Sequence, residues 1–286
     1  MRWFALPIRR RQLIFRGTLL AGAAAATYAR FVEPRWCQWI DVPMPIAGLP
    51  EFWRGRTVVQ ISDTHVGDRV NSNYLRAEFA AVEFLRPDLV VFTGDFIDSI
   101  SARHVDAAIE LMDAFPRGSI GNATVLGNHD YGRPRFLDPV QTARLVDAMR
   151  TSNLNPLVGE SIEFRGLRIV GLPDLWRGQF KDASVAELIG DDGRPTITLS
   201  HNPDSADRDV WRHHCGWILC GHTHGGQCSF PIVGAPIVPV KNRNYVAGVY
   251  PVNDATSMYI NRGLGHTAPV RFGVRPEITR FVLSAA

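Results

Sequence analysis

The stretch Thr57-Val58-Val59-Gln60-Ile61-Ser62-Asp63-Thr64-His65 is a short, largely β-branched apolar run that ends in two side chains able to hold a metal ion. A run of this length and type reads as a buried strand. The unit recurs: residues 88–93 lead into Gly94-Asp95-Phe96-Ile97-Asp98, and residues 123–126 into Gly127-Asn128-His129-Asp130. Residues 196–199 lead into Ser200-His201-Asn202, and residues 217–220 into Gly221-His222-Thr223-His224-Gly225-Gly226. Apolar residues at helical spacing over 74–85 and 105–115 separate the first three runs, so this half reads as βαβαβ, a sheet with helices on its faces. Five strand ends then meet at one sheet edge, where open α/β architectures bind ligands.

Further along, the spacing predicts a helix over 136–149 and a hairpin of strands 162–164 and 167–170 around Arg165-Gly166. Strands are expected at 245–250, 257–260 and 278–283, which makes the second half strand-rich. Residues 34–56 hold four prolines and three tryptophans and read as an extended lead-in that leans on the body. The expected division is a targeting segment or membrane anchor over 1–35, a lead-in over 36–56, and one catalytic domain over 57–286.

The chain has 286 residues, of which 45% are hydrophobic and 21% charged, which excludes a disordered, collagen-like or disulfide-scaffold protein. Seven arginines against Glu33 give residues 1–35 a charge of +6, so a net charge of +3 leaves the rest of the chain at −3. A weakly acidic body carries no broad footprint for nucleic acid, and none is expected as a partner. The basic character belongs to the N-terminus, where Arg9-Arg10-Arg11 precedes Gln12-Leu13-Ile14-Phe15 and an alanine-rich run over 17–29. Thirteen residues make a helix of about 20 Å against a hydrocarbon core of about 30 Å. The segment resembles a twin-arginine export signal, with an uncleaved anchor or a surface helix as alternatives. Membrane contact through the N-terminus is expected, and with it a place at the inner membrane or in the periplasm. The four cysteines (37, 215, 220, 228) form no Cys-x-x-Cys pair. Cys215 and Cys220 read as small buried hydrophobes, a disulfide being the alternative.

The residues with chemistry are Asp63, His65, Asp95, Asn128, His201, His222 and His224, with His129 beside them. Two carboxylates, four imidazoles and an amide oxygen suit borderline divalent ions such as Mn, Fe or Zn, without the thiolates of a structural zinc site. Seven donors exceed the need of one tetrahedral ion and match two ions that share a carboxylate. In an extended segment alternate residues point the same way, so Asp63 and His65 are expected to grip one ion together, and His222 and His224 are spaced alike. A lone histidine is usually a hydrogen-bonded structural residue, and His104, His213, His214 and His266 are read so. The five groups, in order and each behind a strand, are not.

These blocks, Asp63-x-His65, Gly94-Asp95-x-x-Asp98, Gly127-Asn128-His129-Asp130, His201 and Gly221-His222-x-His224, resemble those of the calcineurin-like metallophosphoesterases over residues 57–283. The run 221–227, the Glu33-Pro34-Arg35-Trp36 lead-in and Asn261-Arg262-Gly263-Leu264-Gly265 are similar to a bacterial branch with signal or membrane segments, which includes UDP-diacylglucosamine pyrophosphatase of lipid A synthesis. Cys228 departs from the charged or polar residue common there. The resemblance implies an α/β fold, an α/β/β/α sandwich of mixed sheets with helices outside and the metal site at strand ends. It also implies two divalent ions, the first on Asp63, His65, Asp95 and His224, the second on Asp95, Asn128, His201 and His222, with Asp95 bridging. His129 would be catalytic, near the leaving oxygen. Asp98 and Asp130 would orient those groups or cap the helices that follow.

The expected function is dimetal hydrolysis of phosphodiester or pyrophosphate bonds, in which the ions activate water and neutralise phosphoryl oxygens. A lipid-linked substrate such as a UDP-diacylglucosamine-like lipid A precursor fits the branch. The alternatives are a nuclease or cyclic-nucleotide phosphodiesterase, or a non-catalytic scaffold. No P-loop, nucleophile elbow or His-Glu-x-x-His occurs. The apolar, proline-rich run 228–250 follows the last metal block directly. It is expected either to wall the site for an apolar substrate portion, with Lys241 and Arg243 meeting phosphate or head groups, or to pack as an ordinary edge.

Overall fold

The computed structural model describes residues 8–133 and 136–286. The first seven residues of the expected targeting segment lie outside the described residues. In β3 (Leu89–Thr93) every side chain is buried, which requires cover on both faces of its sheet. Leu89 and Val91 enter one apolar core and Val90 and Phe92 another, as the period of two dictates. β3 belongs to a five-stranded mixed sheet with β1 (Gln38–Ile46), β2 (Thr57–Ile61), β4 (Gly121–Val125) and β13 (Glu277–Ala285), in the order β1-β13-β2-β3-β4. On its outer face Val59, Phe92 and Leu126 pack against Phe79 of α2 (Ser72–Phe84), Val105 of α3 (Ala102–Met112) and Leu145 of α5 (Pro139–Thr151).

The inner face meets a six-stranded sheet, β11-β12-β10-β9-β8-β7, made of β7 (Glu160–Phe164), β8 (Leu167–Gly171), β9 (Thr196–Leu199), β10 (Gly216–Cys220), β11 (Gly248–Asn253) and β12 (Thr256–Ile260). Between the sheets Val58, Leu89 and Val91 face Ile169, Ile197 and Leu219. Outside the second sheet, Val185 and Ile189 of α6 (Asp182–Ile189) cover Val170, Ile218 and Met258. Three apolar interfaces separate four layers, so the fold is the expected α/β/β/α sandwich. A short α4 (Asn128–Tyr131) and a two-stranded piece, β5 (Gly132–Arg133) and β6 (Phe136–Leu137), lie beside the site edge.

The lead-in enters the first sheet as its edge: β1 runs parallel to β13 from Gln38↔Glu277 to Ile46↔Ala285, a position that tolerates Pro43 and Pro45. The Arg165-Gly166 turn forms, with φ of 52° and 82° at the two residues as such hairpins require. α3 starts three residues earlier than apolar spacing indicates because Ser101 Oγ accepts from the His104 amide and caps it. The strand expected at 245–250 begins at Gly248, whose φ of 92° turns the chain after a loop. α6, eight residues long, is too short to stand out by periodicity.

All four cysteines are free thiols. Cys220 is buried in β10 as expected, whereas Cys215 is only partly buried because it precedes that strand at the sheet's end. His104, His214 and His266 are buried and hydrogen-bonded, and His213 is exposed. α1 (Ile8–Thr27) is exposed over almost its whole length. No helix among the described residues is long and apolar enough to cross a membrane.

Candidate metal centre

β2, β3, β4, β9 and β10 deliver the five blocks at their C-terminal ends, three from one sheet and two from the other. The segments are not extended, which corrects the expectation for Asp63 and His65. Asp63 (φ 52°), His65 (φ 46°), Asp95 (φ 56°), His222 (φ 71°) and His224 (φ 51°) all have left-handed backbone. Paired side chains converge because the chain coils tightly, not because alternate residues share a strand face. Non-glycine residues rarely adopt this region, at about 1–3 kcal/mol each, and such strain gathers at functional sites. Gly221 allows the two sheets to close here: a Cβ there would lie 2.3 Å from Asp63 Oδ2 and 2.0 Å from Ser62 Oγ. In its absence the His222 amide donates to both carboxylate oxygens of Asp63, at 3.2 and 3.1 Å.

Two donor groups result. In the first, His224 Nε2 lies 3.3 Å from Asp63 Oδ1 and 2.9 Å from His65 Nε2. In the second, His201 Nε2 lies 3.2 Å from Asp95 Oδ2 and 3.1 Å from His222 Nδ1. Asp95 Oδ2 is also 3.7 Å from His65 Nε2, which puts this carboxylate between the groups. Asn128 lines the same cavity, and its buried Oδ1 has no hydrogen-bond partner among the described residues. The outward nitrogens are fixed by carbonyls: His201 Nδ1 donates to Thr93 O (2.8 Å) and His222 Nε2 to Pro239 O (2.8 Å). Each ring therefore turns a lone pair into the cluster, as metal-binding imidazoles do. A third grouping of His65, Asp98 and His129 is close, but Asp98 Oδ2 is held 2.6 Å from Arg69 Nη1 and His129 Nδ1 donates to the Asp98 carbonyl.

The electrostatics call for a cation. Burial pushes the Asp63 carboxyl up to about 6. It also holds His65 and His224 well below the usual imidazole range and lowers His222 to about 3, so these three are neutral and able to ligate. His201 is the exception: burial opposes its charge, but Asp95 outweighs burial and pushes it up to about 10. That upward pull marks where Asp95 calls for positive charge, which a cation held at His201 Nε2 would supply in place of a proton. An orphaned amide oxygen, three neutral imidazoles and one carboxylate between the groups fit divalent ions.

His129 stands apart with its ring 4.8 Å from that of His65, edge to face, and its amide donates to Asp95 Oδ1 (2.8 Å). Burial lowers its pKa, but the Asp95 carboxylate and the Asp98 carbonyl outweigh this and raise it. Asp130 takes up three amides, of Phe96, Ile97 and Gly127, and so ties the β3 and β4 loops together while closing the first turn of α4. Asp98 braces Arg69 and, through its carbonyl, His129.

Sequence reasoning missed several residues. Gln60, Thr93 and Ser62 form a buried hydrogen-bond chain that ends on Asp63. Fully buried Arg271 donates to the carbonyls of Arg262, Gly263 and Gly265, the loop whose Gly265 amide donates to the Asp63 carbonyl. Trp176 lies edge-on to His222, ring centroids 4.6 Å apart. None sits in a motif; only the 261–265 block gave a signal. A cavity of about 470 Å³ opens over the centre, with Asp95, Asn128, His129 and His222 at its polar end and Trp176, Pro236, Ile237, Pro239 and Val270 along its apolar side. The run 228–250 is thus a wall of the site, while Lys241 and Arg243 are exposed and absent from the lining.

The family profile described as calcineurin-like phosphoesterase matches residues 56–226. The chain is 33% identical over 279 residues to an uncharacterized metallophosphoesterase of Bacillus subtilis, YkuE, covering 94% of each. It is 28% identical over 284 residues to phosphodiesterase YaeI of Escherichia coli, covering 96% of this chain and 98% of that one. It is 26% identical over 321 residues to UDP-2,3-diacylglucosamine pyrophosphatase LpxG of Chlamydia trachomatis, covering 91% and 94%.

Proposed function

The chain belongs to the calcineurin-like phosphoesterases, and from that premise we propose that it hydrolyses phosphodiester or pyrophosphate bonds with two divalent ions, on a substrate that carries an apolar portion. The observation that carries this reading is the pair of donor groups sharing Asp95 at the polar end of a cavity whose other side is apolar. Asp63, His65, Asp95 and His224 would hold one ion, and Asp95, Asn128, His201 and His222 the other, with Mn, Fe or Zn as the candidates. The ions supply activation of water and neutralisation of phosphoryl charge.

The chain's own residues do the rest. His129, with Nδ1 fixed on the Asp98 carbonyl, has Nε2 left to bring a proton to the departing oxygen. Trp176 and the 236–239 segment exclude water and seat an apolar substituent. A lipid-linked substrate is favoured by the tip of that wall. Phe230, Ile232, Val233 and Ile237 are exposed, and Ile232, at φ 76°, sits at the head of a tight turn that Phe230 and Gly234 close by exchanging backbone hydrogen bonds. The tip lies near the end of the N-terminal segment, since Phe230 stacks on Phe272 (5.4 Å) and the Arg271 amide donates to the Ala29 carbonyl (2.9 Å). The N-terminal segment would bring this surface to the inner membrane or its periplasmic side.

The test is turnover by full-length protein, stripped of metal and reloaded with Mn, Zn, Fe or Mg, of bis(4-nitrophenyl) phosphate, 4-nitrophenyl phosphate and a UDP-linked diacyl lipid. Metal-dependent cleavage of the diester and the lipid above the monoester is expected. Activity that survives stripping would refute the dimetal reading.

A further inference from the structure

The loop after β8 carries a cation that no carboxylate neutralises among the described residues. Asp174 Oδ1 accepts from the amides of Trp176 (3.0 Å) and Arg177 (2.7 Å), a turn that fixes where both side chains leave the chain. Trp176 goes to His222. Arg177 goes to the other side, where with Asp98, Ser99, Asn128 and His129 it lines a second cavity of about 240 Å³. Among the described residues its guanidinium reaches only the Trp176 carbonyl, at 3.3 Å from Nη1, and its buried Nε has no partner. The one carboxylate among the described residues that line this cavity, Asp98, is already paired with Arg69.

A buried donor left without an acceptor is costly, and a ligand oxygen at this cavity would complete it. The guanidinium fork matches two oxygens of one phosphoryl group. We propose that this 240 Å³ cavity is a subsite for a second phosphoryl group, next to the one attacked, and that Arg177 is its specificity-determining residue. The inference rests on the phosphoesterase reading and narrows it to substrates with a pyrophosphate link. Asn128, His129 and Trp176 are walls of both cavities, so a phosphoryl centre held there reaches apolar lining on one side and Arg177 on the other. In the reaction a P–O bond forms to the water oxygen and the bridging P–O bond breaks. The bridging oxygen leaves on the second phosphoryl group, and the water's proton passes to solvent.

The experiment compares full-length wild type, Arg177→Lys and Arg177→Gln on bis(4-nitrophenyl) phosphate and on ADP-ribose, a soluble pyrophosphate diester. Calorimetric titration with methylenediphosphonate and with inorganic phosphate accompanies it. Arg177→Gln is expected to raise KM for ADP-ribose at least tenfold more than for the aryl diester and to weaken methylenediphosphonate at least tenfold more than phosphate, with Arg177→Lys between. Equal losses on both substrates, or unchanged preference for methylenediphosphonate, would overturn the subsite. If wild type cleaves neither substrate with any metal, the hydrolase reading falls, and the titrations still decide the subsite.

Discussion

A Cβ atom on Gly127 would lie 2.2 Å from Oδ1 of Asp95, so the carboxylate between the two donor groups occupies space that only glycine leaves free. Gly127→Ala should push Asp95 out of place and break its 2.8 Å hydrogen bond from the His129 amide. The expected result is a kcat at least about 100-fold lower, of the size seen when a precisely placed charge is lost. Elemental analysis should show less than half the wild-type metal. Full metal content with near-normal turnover would mean the site tolerates a shifted Asp95.

Asp95→Ala and His129→Gln should separate metal holding from chemistry. The first removes the shared carboxylate and is expected to abolish both bound metal and activity, because two cations are then left facing each other. The second should keep both ions while kcat falls by about 10²- to 10⁴-fold, the usual worth of a general acid. Metal loss in the His129 variant would place that residue among the ligands.

Stability should fall in mild acid for a reason remote from the site. His214 lies buried between the hydroxyls of Thr198 (2.9 Å) and Thr256 (3.0 Å), and burial, with Arg168 nearby, lowers its pKa to about 3. The unfolded chain takes up this proton near pH 6.5. The contribution is therefore complete above that pH and is lost as pH falls towards 3, at about 1.4 kcal/mol per unit. Urea midpoints at pH 7, 6 and 5 should fall less steeply in His214→Gln, by one proton. Parallel slopes would show that His214 is protonated in the folded state.

Ile232→Ser and Ile237→Ser test the apolar wall. Both should lower kcat/KM on a UDP-linked diacyl lipid about tenfold more than on bis(4-nitrophenyl) phosphate, since each removes about 1.5–3 kcal/mol of apolar contact that a small diester never makes. Equal effects on the two substrates would leave the 228–250 run a purely structural element.

Arg10→Lys with Arg11→Lys should retain the protein in the cytoplasm if the N-terminus is read as a twin-arginine signal, as cell fractionation would show. Unchanged distribution would favour an anchor instead.

The layered fold was legible because each strand of the first half is short, β-branched and followed by a motif. In β3 the full burial implied by five consecutive apolar or threonine side chains is what the two flanking cores require. The grouping of donor residues was legible for the same reason, since each block follows a strand end. Their backbone was not: spacing suggested extended pairs, while left-handed φ values at Asp63 and His65 arise from contacts with the β3 loop, such as the His65 amide on the Asp95 carbonyl. Trp176, Arg177 and Arg271 could not be seen because they act through loops whose course depends on tertiary packing. Asp174, which sets the first two, looks in sequence like any acidic loop residue.

The left-handed backbone at Asp63, His65, Asp95, His222 and His224 also has an evolutionary consequence. Glycine or asparagine would relax each position by about 1 kcal/mol or more. Survival under heat and catalytic turnover therefore favour different residues at the same five places. A mutant library sorted for heat resistance alone should accumulate glycine and asparagine there, and one sorted for turnover should hold the five unchanged. Sequencing the two populations would then outline the metal centre before any ion or substrate had been identified.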